Sequence, residues 1–189
     1  MEDNHSSRAK VKAEWLTKEL VLFFGFLACG IFAPQIFHLI GQQALGVRIS
    51  PMHVFVLMCG FVCGKRYGAL CGFLMPLISS LIFTMPPIYP TAVGMAFEML
   101  VYGYLTGLLK DKMHFVFALL LAMLGGRLVL GVANIILYAL QGGSYSFDAY
   151  VSSLFINGWP SIVCAFVIVG GVLLILVKAG VISFKNKNE

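Results

Sequence analysis

Two ionisable residues stand where ionisable residues are expensive. Glu98 lies about two turns into an apolar stretch that begins near Thr91, and Arg127 lies near the middle of another that runs from His114 to Leu140. At a bilayer centre, each would cost about 2.5–3.5 kcal/mol if it faced lipid. Both are therefore expected to face the protein interior. There they either neutralise one another as a structural ion pair or line a polar cavity and hold a solute. Their neighbours bear on that choice. Arg127, Asn134, Tyr138 and Gln141 recur at seven-, four- and three-residue intervals, which puts them on one face of a helix. Tyr102 follows Glu98 by one turn. His53 and Asn157 fall near the ends of two further apolar stretches. His53 alone reads as a structural histidine. Taken together, these donors and acceptors in an apolar shell are what a small polar ligand requires.

Other chemistries lack their parts. The chain has no G-x-x-x-x-G-K-[S/T], so it cannot cradle ATP by that route, and no His-Glu-x-x-His or Gly-x-Ser-x-Gly. An intramembrane protease or a lipid-modifying enzyme would need a Ser/His or Asp/Asp set at matching depths, and none is present. The five cysteines all lie in apolar stretches, and Cys59-x3-Cys63 is not the spacing of a redox or zinc motif. The expectation is a protein that is not an enzyme and has no metal and no cofactor.

The elements that position these residues follow from composition. Of 189 residues, 60% are hydrophobic and 11% charged, and mean hydropathy is +0.93. Soluble domains run nearer 45–50% apolar and about 25% charged, so the lipid bilayer is the expected solvent. The predicted fold is an all-α membrane protein of six transmembrane helices, with N and C termini cytoplasmic. The spans are predicted near 19–40, 52–64, 67–83, 91–109 and 114–140, with a last one ending at Val177. Residues 1–18 form a polar, disordered or interfacial N-terminal segment, 19–178 the membrane domain, and 179–189 a tail. The first twenty residues do not read as a cleavable signal peptide. Lys65-Arg66 is assigned to a cytoplasmic turn, because mid-bilayer it would be costly. Three prolines within Met85–Pro90 demand an irregular outer loop. Residues 147–157 are either an interfacial helix or the start of the last span.

This topology puts Arg8, Lys10, Lys12, Lys18, Lys65, Arg66, Lys110, Lys112, Lys178, Lys185 and Lys187 inside and only Arg48 outside. That asymmetry obeys the positive-inside rule, and removing one span would scatter it. The net charge of +5 thus reflects topology, and no nucleic-acid partner is expected. Small residues recur every four positions at Gly60, Gly64, Gly68 and Gly72, and again at Gly25, Cys29 and Ala33. They mark close helix packing, either within the chain or against a partner.

The run Pro51-Met52-His53, the Gly60–Gly72 ladder, Pro76-Leu77, and Met85-Pro86-Pro87-Ile88-Tyr89-Pro90 resemble the substrate-binding S components of energy-coupling factor (ECF) vitamin transporters. Glu98 with Tyr102-Gly103, and Gly126-Arg127, extend the resemblance from about Gly25 to Leu176. It implies a multi-pass subunit of the bacterial plasma membrane that captures a small-molecule vitamin from outside. Its partners would be a transmembrane coupling protein and two cytoplasmic ATPases. It implies a ligand site at Glu98, Arg127, Asn134, Tyr138 and Asn157, with His53 and Tyr102 beside it. The lid would be Arg48–Met52 and Met85–Pro90, and the coupling-protein contact would be Gly25, Cys29 and Ala33. An arginine free to take a carboxylate ranks pantothenate first. If Glu98 neutralises Arg127, a neutral ring such as pyridoxine, hydroxymethylpyrimidine or riboflavin fits as well. The competing reading is a stand-alone secondary carrier or channel that uses Glu98 and Arg127 as a gate or proton relay.

Overall fold

Helices account for nearly all of the described residues, because an apolar segment in lipid must satisfy its backbone internally. The computed structural model describes residues 2–39, 41, 50–142 and 159–178. Among them are six long helices and no strand: α1 Glu2–Leu39, α2 Pro51–Cys63, α3 Lys65–Phe83, α4 Val93–Leu109, α5 Phe115–Leu140 and α6 Trp159–Lys178. The N-terminal segment expected to be disordered or interfacial is helical from Glu2 and continuous with α1. Four stretches are long and apolar enough to cross a membrane: Thr17–Phe37, Lys65–Phe83, Ile88–Leu109 and Phe115–Leu140. Pro51–Cys63 and Ser161–Ile175 are apolar but shorter. At 1.5 Å per residue, α2 is about 20 Å long, less than the ~30 Å hydrocarbon thickness.

The predicted break at Lys65-Arg66 is real and depends on the residue before it. Gly64 has φ +85°, a backbone conformation natural to glycine, and it ends α2 so that α3 can turn back. Lys65 and Arg66 are exposed at this turn. Lys110, which follows α4, donates from Nζ to the carbonyl of Phe61 at 3.1 Å, so the same end of the bundle carries both basic turns.

α4 lies at the centre, packed on α2, α3 and α5. Its contact with α2 and α3 is made backbone to backbone. A Cβ on Gly68 would meet the Gly103 carbonyl and stand 2.7 Å from the Gly60 Cα. One on Gly72 would strike the Met99 carbonyl, and one on Gly107 would strike Lys65 N. Gly60, Gly68 and Gly72 are therefore internal packing residues. The stripe on α1 is different: Gly25 has nothing within 4 Å of a built Cβ, Cys29 is exposed, and Ala33 is half-buried.

At the opposite end, the proline-rich connection is pinned to α3. Ser79 Oγ donates to the Met85 carbonyl at 3.0 Å, and Ser80 Oγ donates to that of Pro86 at 2.6 Å. A wide helical turn, Ile88–Ala92, with Tyr89 extended, then leads into α4. On α5, Ala118, Leu119, Ala122 and Met123 are buried, while Phe117, Leu121, Leu124, Leu128 and Val132 are exposed. A helix apolar on both faces is built for an apolar surrounding.

Candidate functional site

The polar residues of four helices meet in the interior. The Glu98 side chain, from α4, is 2% exposed, and the Arg127 side chain, from α5, is 12% exposed; they face each other with Arg127 Nε 3.2 Å from Glu98 Oε1. Lipid exposure is thus avoided by pairing, as their insertion cost demands. Tyr102, one turn after Glu98 on α4, donates its hydroxyl to the same Oε1 at 2.6 Å and is itself fully buried. Arg127 Nη2 donates to Ser161 Oγ of α6 at 2.9 Å. His53, in the first turn of α2, sets its ring edge-on to the Tyr102 ring, with centroids 5.2 Å apart and planes at 87°. One chain of contacts therefore runs His53–Tyr102–Glu98–Arg127–Ser161.

Local geometry explains why each group reaches this point. Gly126, the residue before Arg127, lies against Tyr102 and the Glu98 carbonyl, where a Cβ would clash, so α5 approaches α4 closely enough for the ion pair. Ser50, with φ +47°, precedes Pro51 at the start of α2, and its hydroxyl lies 3.5 Å from His53 Nε2. Among the described residues, two buried side-chain atoms stay without a hydrogen bond. His53 Nδ1 has no hydrogen-bond partner, and Arg127 Nε, although close to Oε1, has an N–H that is not aligned on it.

Of the residues singled out from sequence, His53, Glu98, Tyr102 and Arg127 come together here. Asn134 lies on the same α4–α5 seam, with its Oδ1 2.8 Å from where a Cβ on Gly94 would stand, and Gly94 is one turn before Glu98. Tyr138, one turn beyond Asn134, is half-buried. The proline-rich loop reaches this end of α5: the Tyr89 hydroxyl donates to the Leu137 carbonyl at 2.5 Å. Asn157, Arg48 and residues 147–157 lie outside the described residues. Ser161 was not singled out. A serine near a helix start carries little signal, and only its position two residues after Trp159, at the depth of the other polar groups, marks it. Among the described residues, no His/Cys/Asp/Glu group could hold a metal ion.

The arrangement sets hydrogen-bond donors and acceptors side by side within an apolar bundle. The family model for "ECF transporter, substrate-specific component" matches residues 19–177. No curated protein and no solved structure matches the chain.

Proposed function

Because the chain belongs to the substrate-specific components of ECF transporters, we propose that it captures a water-soluble vitamin from outside the cell for an ABC-type importer. The enclosed cluster of Glu98, Arg127, Tyr102, Ser161 and His53 is the observation that supports this reading, since four helices converge polar groups on one buried point. Asn134 and Tyr138 extend the site along α5, and Asn157 belongs to it by the family resemblance. The loop Met85–Pro90, clasped to Leu137 through Tyr89, is the lid. All six helices cross the membrane, α2 as a short crossing, with both termini in the cytoplasm. The eleven-to-one distribution of Lys and Arg favours that orientation in a bacterial plasma membrane.

The chain has no ATP-binding loop, so movement of the vitamin is driven by separate proteins: a transmembrane coupling protein and two cytoplasmic ATPases. The open stripe of Gly25, Cys29 and Ala33 on α1 is the surface offered to the coupling protein, because small residues let helices approach closely. Pantothenate ranks first when Arg127 is considered alone, but in the fold this arginine already faces a carboxylate. The test is direct. The purified chain, without ATPases, should bind one member of a B-vitamin panel with nanomolar affinity by calorimetry. Uptake into proteoliposomes should appear only with the partner proteins. Uptake by this chain alone would instead establish a stand-alone carrier gated by Glu98 and Arg127.

A further inference from the structure

The Glu98–Arg127 pair is formally neutral, yet it leaves a buried donor of Arg127 without a hydrogen bond. Among the described residues, Arg127 donates from Nη2 to Ser161, while its Nε is buried without a hydrogen bond. Glu98 receives both Tyr102 and Arg127 Nε at Oε1, which keeps its carboxylate at the centre of this cluster as an acceptor. The buried Nδ1 of His53, a ring away across Tyr102, is unsatisfied too. Buried polar groups normally find partners, so these two atoms, on either side of Tyr102 and Glu98, mark where a guest is completed.

The charge balance restricts that guest. A carboxylate or phosphate drawn to Arg127 would lie beside the Glu98 carboxylate in an apolar surrounding, where repulsion between like charges is weakly screened. A cation drawn to Glu98 would meet Arg127 in the same way. An uncharged guest breaks neither balance. The guanidinium supplies donors and the adjoining carboxylate supplies an acceptor. Their complement is an acceptor and a donor side by side, as on the edge of a primary amide, a lactam or an aminopyrimidine.

We propose that this site, taken as the capture site argued above, selects an uncharged polar ligand bearing an adjacent hydrogen-bond acceptor and donor, and discriminates against its carboxylate counterpart. His53 Nδ1 supplies the third contact, from α2.

Matched probes that differ in one charge test this on the purified full-length chain at neutral pH: nicotinamide against nicotinate, panthenol against pantothenate, and biotin amide against biotin. In whichever pair binds, the uncharged member should bind at least tenfold tighter. Glu98→Gln removes the competing negative charge while keeping the side chain's size, and should move the preference at least tenfold toward the carboxylate member. A wild-type chain that binds the carboxylate member equally well or better overturns the inference and leaves vitamin capture standing. Should Glu98→Gln fail to fold, the wild-type preference decides alone. Binding of no B vitamin in the wider panel refutes the capture reading itself, and this inference with it.

Discussion

Glu98 Oε1 receives two neighbours at once: the hydroxyl of Tyr102 at 2.6 Å and, from the next helix, Arg127 Nε at 3.2 Å. The carboxylate thereby joins α4 to α5 in the buried interior, where either charge alone would be poorly tolerated. Removing one partner from such a pair strands the other, which costs about 3–5 kcal/mol for a buried pair.

Arg127→Ala should therefore lower thermal stability markedly in detergent and weaken vitamin binding more than tenfold, about 1.4 kcal/mol. The double replacement Glu98→Leu with Arg127→Met should regain most of the stability but none of the binding. Unaltered affinity in Arg127→Ala would remove Arg127 from the ligand contacts.

Glycine substitutions should separate internal packing from the outward stripe. Gly68→Ala forces a methyl against the Gly103 backbone and should destabilise by about 1–3 kcal/mol. Gly25→Ala has open space and should stay within about 0.5 kcal/mol of wild type. A larger Gly25→Leu change should keep vitamin binding and lose uptake with the partner proteins. If uptake persists, α1 is not the coupling surface.

Tyr89→Phe deletes the hydroxyl that holds the proline-rich loop to Leu137. One net hydrogen bond is worth about 0.5–1.5 kcal/mol, so ligand release measured by stopped flow should quicken roughly two- to tenfold. An unchanged release rate would mean that this loop does not gate the site.

Topology is open to cysteine labelling. In a chain with the native cysteines replaced, Thr84→Cys should react with an impermeant maleimide added to intact cells, and Lys112→Cys only after the cells are opened. The reverse pattern would invert the proposed orientation.

Much of this fold was legible because lipid leaves a sequence few options. Apolar runs closed at Lys65-Arg66 and Lys110-Asp111-Lys112 mark helix ends, and the structure ends helices there. Glu98 and Arg127 stood out by cost alone, and they do pair. What periodicity could not supply was the identity of partners across helices. The Gly60–Gly72 ladder announces close packing, but only tertiary structure shows that Gly60, Gly68 and Gly72 are consumed by Thr106, Gly103 and Met99 while Gly64 makes the turn. Ser161 becomes visible only once α6 stands beside α5. The continuous helix before Lys18 escaped notice because a polar segment has no apolar stripe to betray it.

The seam of Gly60, Gly68 and Gly103, continued by Gly107 against Lys65, brings α2, α3 and α4 together with little but backbone and the Thr106 side chain between them. Backbones in such direct contact leave few side-chain rotamers to rearrange, so α2, α3 and α4 have little freedom to slide past one another at these positions.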